Sequence, residues 1–123
     1  MDILNRTKTP TPRHPYEQIK DHYLGKDYEL SLVFCGEKLS RRLNQESRNK
    51  DYSANILSFP LSETSGEIFI DLATAKKQCK KYNRSFSNYV AFLFIHGLVH
   101  LAGYDHGDTM DKQEERLRSA FRI

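Results

Sequence analysis

The stretch from His96 to His106 constrains this chain more than any other, because it gathers three of the five histidines. It reads His-Gly-Leu-Val-His-Leu-Ala-Gly-Tyr-Asp-His. His96 and His100 are four residues apart, so on an α-helix they lie roughly 40° apart around the axis and about one turn along it. Two imidazoles placed in this way can both reach one zinc ion at roughly 2.0–2.1 Å. The spacing predicts a helical pair of metal ligands.

His106 requires a different explanation. If the helix continued, six more residues would carry His106 about 240° around the axis and about 9 Å along it, away from the same ion. Gly103 lies between the two, and glycine adopts the left-handed conformation that ends helices without a Cβ penalty. A reversal at Gly103 would return His106 to the helical pair.

A simpler interpretation is three unrelated histidines, two of them in the core and one on a turn. The regular spacing favours metal binding instead. Three imidazoles with a fourth position open are typical of catalytic zinc, although nickel and copper also bind such ligands. A closed structural site would need a fourth protein ligand, and no cysteine lies nearby in the sequence.

The helix predicted to carry the pair is apolar on nearly every side, which is typical of a buried helix. Strands are predicted over 28–34, over 54–59 before Pro60, and over 67–70, with a loop over 61–66. Helices are predicted over about 15–25, 36–49, 72–82, 85–102 and 109–121, and 7–15 is a proline-containing connector. This order predicts one α+β domain over 1–123, with a small sheet packed against the buried helix.

Composition places the chain among globular proteins, with 38% hydrophobic and 28% charged residues. Cys35 and Cys79 lie outside any C-x-x-C spacing, so free thiols are expected, with a disulfide as the alternative. The first residues lack a signal peptide's apolar run, and the most apolar stretch is shorter than the roughly 20 residues that cross a bilayer. We expect a cytoplasmic protein with no membrane partner.

The net charge of +3 does not by itself indicate nucleic acid. Its distribution is more informative, because no acidic residue occurs over 72–104 while basic residues recur three and four apart: Lys76, Lys77, Lys80, Lys81 and Arg84. On a helix they would form a stripe that follows a phosphate backbone, or else an ordinary solvated face. Tyr52, Phe59 and Tyr104 are candidates for stacking on unpaired bases, with core packing as the alternative for Phe59.

One function that the histidine spacing suggests is that of a zinc protease, because the metzincin pattern His-Glu-x-x-His-x-x-Gly-x-x-His has the same spacing. The glutamate that acts there as general base is replaced by Gly97. Glycine inside a helix costs about 1 kcal/mol relative to alanine. Either space beside the metal or simple tolerance of glycine by the helix explains it.

The histidine stretch, together with two blocks that precede it in the sequence, resembles the YbeY family of bacterial endoribonucleases. Asn55-Ile-Leu-Ser-Phe-Pro60, preceded by Arg48-Asn-Lys-Asp51, is similar to one family block, and Gly66-Glu-Ile68 is similar to another. The likeness runs from about Tyr28 to the C-terminus. Ala54 departs from it, since the family usually has threonine there.

The resemblance implies a zinc-dependent endoribonuclease that acts on single-stranded RNA in 16S rRNA 3′-end maturation and ribosome quality control. It implies a small mixed sheet with surrounding helices, one zinc ion on His96, His100 and His106, and the small ribosomal subunit as partner. The family's arginine falls on Arg48, whose planar guanidinium matches phosphate oxygens. The alternative for Arg48 is an exposed arginine near helix C-terminal carbonyls.

Two questions stay open at this stage. Asp105 could orient a ligand imidazole, or it could be a turn residue that bonds its own backbone. Besides the protease, a non-catalytic ribosome assembly factor that uses the metal only for folding is the second alternative function.

Overall fold

The computed structural model describes all residues, 1–123, and centres on a four-stranded sheet. The strands are β1 (Asp2–Asn5), β2 (Glu29–Cys35), β3 (Ile56–Ser62) and β4 (Ser65–Asp71), in the spatial order β1-β2-β4-β3. β1 and β4 both pair with β2 in parallel, and β3 pairs with β4 in antiparallel fashion. The sheet is therefore mixed, as the family resemblance implied.

Five α-helices surround the sheet, so the α+β class is confirmed. They are α1 (Tyr16–Leu24), α2 (Glu37–Arg48), α3 (Leu72–Gln78), α4 (Phe86–Leu101) and α5 (Asp108–Phe121). A short 3₁₀ helix over Cys79–Tyr82 continues α3. Ser85 caps α4 by accepting a hydrogen bond from the Asn88 backbone N–H at 3.1 Å.

The central helix α4 is buried along most of its length, as its apolar sequence predicts. Nine of its residues are buried, and side chains such as Val90, Phe94 and Leu98 have no exposed surface. They pack with Leu32, Ile68 and other sheet residues into one core of 20 buried side chains. The packed core holds α4 rigidly, and the two helical histidines lie near its C-terminal end.

Four secondary-structure predictions were wrong, three of them in the sheet. The strand β1 was not predicted, because four residues are too few to show a periodic pattern and Ile3 and Leu4 are exposed. The second predicted strand does not stop at Pro60, since β3 lies at the sheet edge, where a missing N–H donor is tolerated. The predicted loop over 61–66 is instead a tight turn at Glu63 and Thr64.

The region over 72–82 is also not one α-helix. α3 ends at Gln78, and the 3₁₀ helix that follows changes the side-chain directions of the second half.

Cys35 and Cys79 are both free and buried, which confirms the expected thiols. None of the helices combines the length and apolarity that a bilayer crossing would require.

Candidate functional site

The three clustered histidines come together at the C-terminal end of α4. His96 and His100 both lie within the helix, one turn apart. Gly103 has a φ of 99°, so the chain reverses where the sequence predicted. The reversal returns His106 to His96, and the two ring centres are 5.8 Å apart with 27° between the ring planes.

These imidazoles line one cavity of about 390 Å³. Arg48, the last residue of α2, lines the same cavity together with Ser47. The remaining wall is the first half of β3, over 56–59. Nine residues from three separate parts of the sequence therefore line one space, which we name the histidine cavity.

The donor set suits a transition metal, because imidazole is a good ligand for zinc. Two imidazoles bound to one tetrahedral zinc at roughly 2.0–2.1 Å have ring centres about 5 Å apart, close to the separation of His96 and His106. No three potential ligand side chains converge fully on one point. His100 and His106 are exposed, so their side chains have room to change rotamer.

A buried carboxylate fixes the orientation of His96, and the sequence did not predict it. Glu114 of α5 has only 5% of its surface exposed, and its Oε1 lies 3.0 Å from Nδ1 of His96. With the proton on Nδ1, the ring donates this hydrogen bond and leaves Nε2 without a proton, in the form that binds a metal. The available signal was spacing, because Glu114 lies between Met110 and Leu117 on the buried face of α5.

Asp105 was the carboxylate considered for this role from sequence. It lies exposed in the turn between α4 and α5, whereas the carboxylate that contacts His96 comes from α5. Asp105 is adjacent to His106 in the sequence, but this adjacency did not identify the carboxylate that contacts a histidine.

Gly97 is explained by packing, which neither sequence interpretation included. A Cβ atom at this position would lie 2.8 Å from Cδ1 of Ile56, 2.9 Å from Oγ of Ser58 and 3.0 Å from Cδ1 of Ile68. The hydroxyl of Ser58 also donates a hydrogen bond to the Gly97 carbonyl at 3.3 Å. Glycine allows α4 to approach the sheet closely, and a glutamate there would be driven into β3 and β4.

Arg48 is exposed and has no carboxylate within ion-pair distance. Arg41 and Arg42, on the same helix, pair with Asp51 and Glu46 at 3.0 and 4.0 Å. The guanidinium of Arg48 is therefore available to an anion in the histidine cavity. Its helix-end position also fits the alternative of a favourable charge near the carbonyls.

The other predicted RNA contacts are dispersed. The four lysines of the predicted basic stripe are exposed, but Lys77 forms an ion pair with Glu37, and Arg84 lies partly buried over Phe92. Phe59 lines the histidine cavity and packs edge-on against Phe69. Tyr104 packs against the core, while the exposed Tyr52 lines a separate groove along α2.

Known proteins place this arrangement in a family. The family model described as endoribonuclease YbeY matches residues 8–121. A solution structure from Thermotoga maritima superimposes with a TM-score of 0.68 over 98% of this chain and 91% of that one, at 23% identity. That likeness concerns the fold alone.

Curated relatives agree with the family model. The endoribonuclease YbeY of Mycoplasma mycoides is 39% identical over 98 residues, 71% of this chain and 60% of that protein. Its counterpart in Alkaliphilus metalliredigens is 39% identical over 103 residues, 75% and 66% of the two chains. The chain thus matches less than two thirds of the length of these relatives. It belongs to the endoribonuclease YbeY family.

Proposed function

We propose that this protein is a metal-dependent endoribonuclease that cleaves single-stranded RNA in the histidine cavity. One observation carries the proposal: the three histidines and Arg48 line a single cavity in a member of this family, although Arg48 lies far from the histidines in the sequence. Cleavage of a phosphodiester needs an activated nucleophile and positive charge near the phosphoryl oxygens. The four side chains are suited to supplying both.

The three imidazoles would hold one zinc ion, and a bound zinc ion would supply Lewis acidity at neutral pH. Glu114 would hold the proton of His96 on Nδ1 and leave Nε2 to bind the metal. The guanidinium of Arg48 would donate paired hydrogen bonds to phosphate oxygens and orient the scissile phosphate. One wall of the cavity is β3, which lies at the edge of the sheet. We expect single-stranded RNA to enter on this side.

The biological substrate we propose is ribosomal RNA of the small subunit, at its 3′ end, in the cytoplasm. The sequence resemblance supports this, and four exposed lysines over 76–81 offer positive charge for binding RNA. Activity on a precursor fragment compared with an unrelated single strand of equal length would test the substrate.

The central test is metal content together with cleavage. Purified protein should contain about one zinc per chain by elemental analysis, and a variant with alanine at all three histidines should contain none. Single-stranded RNA should be cut by the first protein and not by the second, while a casein or peptide substrate stays intact. Peptide cleavage, or RNA cleavage that survives loss of the three histidines, would contradict the proposal.

A structural metal without catalysis is the remaining alternative. His106 is exposed and lies outside the core, so His106→Ala should retain its fold. We expect a melting temperature within a few degrees of the parent and loss of RNA cleavage. Unfolding of the variant, together with no RNA cleavage by the folded parent, would favour the assembly-factor role.

A further inference from the structure

A row of ring side chains runs along α4 and ends in the candidate site. Tyr89, Phe92 and His96 recur three and four residues apart, so they lie on one side of the helix. Phe92 is one turn from His96, about 6 Å along the axis. The row leads out of the histidine cavity toward the N-terminal half of α4.

The row is part of a platform of nearly parallel rings. Tyr82, from the 3₁₀ helix, stacks on Tyr89 with centres 5.1 Å apart and 17° between planes. Tyr89 stacks in turn on Phe92 at 5.8 Å and 15°. Tyr82 is 52% exposed, which is unusual for a large ring already stacked on a neighbour. We name Tyr82, Tyr89 and Phe92 the ring platform.

Two guanidinium groups lie beside the ring platform without an anionic partner. The Cζ atoms of Arg84 and Arg118 lie 4.4 and 5.2 Å from the centre of the Phe92 ring. Arg84 bonds the side-chain oxygen of Asn88, and neither arginine has a carboxylate within 4.0 Å. Burial lowers the pKa of Arg84, and the neighbouring charge of Arg118 lowers it further. Two such cations held together favour an anion.

The ring platform borders a second cavity of about 390 Å³ that adjoins the first. His96 and Ile56 line both cavities, so the two cavities adjoin. Three carboxylates of α5, those of Asp111, Glu114 and Glu115, line the second cavity together with Arg118 of the same helix. These carboxylates oppose a phosphate deep in the cavity, but they can accept hydrogen bonds from the amino group of a base.

We propose that this second cavity is a subsite for one unpaired nucleotide next to the scissile phosphate, with its base stacked on Tyr82 and its phosphate beside Arg118. The proposal rests on the proposed function, since it places the neighbouring phosphate in the histidine cavity. Aromatic rings stack on any base, whereas the exposed carboxylates of Asp111 and Glu115 favour bases that carry an amino group. The subsite would select unpaired RNA, because a base held in a duplex cannot reach the platform.

The test uses the full chain and a fluorescent single-stranded oligoribonucleotide that it cuts at one position. Tyr82→Leu keeps an apolar side chain but removes the ring, and should raise the KM for cleavage about 5- to 100-fold. Tyr82→Phe keeps the ring and should restore the parent value. The control is Leu4→Ala, which truncates an equally exposed large side chain (54%) on β1 that lines neither cavity, and it should leave KM unchanged.

Single abasic nucleotides scanned along the same RNA locate the contact. One position beside the cut should raise KM for the parent protein, and Tyr82→Leu should be insensitive to that position alone. Arg118→Gln should weaken binding of the normal and abasic strands alike. An abasic scan equal for parent and Tyr82→Leu, or equal losses in the Leu4 and Tyr82 variants, would overturn the subsite while RNA cleavage stands. No cleavage by the folded, zinc-loaded parent would instead overturn the proposed function.

Discussion

At the scale of single residues, the bond between His96 and Glu114 has the most direct consequence for metal binding. Glu114→Gln retains the side-chain size and removes the charge that holds the Nδ1 proton. Loss of such a carboxylate typically lowers metal affinity 10- to 100-fold. We expect that range for zinc, measured by competition with a chromophoric chelator.

The control for this measurement is Glu115→Gln, which alters an exposed carboxylate at the next position of α5. It changes the net charge by the same amount without touching His96, so zinc affinity should stay within about twofold of the parent. Equal affinities in the two variants would show that Glu114 does not orient a metal ligand.

Arg48 allows a second test at a single side chain. Arg48→Lys keeps the charge but loses the planar pair of donors, so we expect the cleavage rate to fall about 100-fold, with zinc affinity unchanged. Arg42→Lys, on an exposed position of α2 outside the histidine cavity, should retain the parent rate. A cleavage rate in Arg48→Lys equal to that of the parent would show that Arg48 is only a favourable charge at the end of α2.

At the scale of elements, the approach of α4 to the sheet sets where the histidines lie. Gly97→Val would place a branched side chain against Ile56, Ser58 and Ile68. Overpacking of this kind costs about 1–3 kcal/mol, so we expect the free energy of unfolding in urea to fall by about 2–3 kcal/mol. The control is Ala120→Val at an exposed position of α5. Its free energy of unfolding should fall by only a few tenths of a kcal/mol more than the lower helix propensity of valine accounts for.

Zinc affinity should fall in Gly97→Val as well, because His96 and His100 move with the helix while β3 holds the opposite wall. An unfolding free energy equal to that of the parent would show that the sheet adapts to a larger residue. The close approach would then not explain the glycine.

At the scale of the whole molecule, stability is sensitive to alkaline pH. Burial, with a smaller contribution from Asp71, raises the pKa of the Cys35 thiol from 9.0 to about 12. Burial likewise raises the pKa of Tyr16, Tyr28 and Tyr89 above the ordinary 10.0. These groups ionise at lower pH in the unfolded chain, so their contribution to stability is complete below about pH 9 and is lost as the pH rises toward 12.

The urea midpoint should therefore decline steadily above pH 9, followed by circular dichroism at constant ionic strength. Cys35→Ala removes one of the groups and should make the decline between pH 9 and 12 shallower. A midpoint that stays constant to pH 11 would contradict the burial of these groups.

Local chemistry made much of the molecule predictable from sequence. Glycine at 103 permits a left-handed turn wherever it occurs, and the apolar residues from Val90 to Val99 require burial in any fold. Most helices, and the strands over 29–35 and 65–71, followed from such local patterns, and the histidine spacing identified the candidate ligands.

Contacts between distant segments could be decided only by the tertiary structure. The pairing of β1 with β2, the carboxylate at His96 and the steric need for Gly97 each join parts of the chain with no shared local pattern. Periodicity states which face of an element is apolar, but it does not state which partner that face meets. The sequence alone thus determined most of the elements and the candidate ligands, and packing determined β1 and what surrounds the ligands.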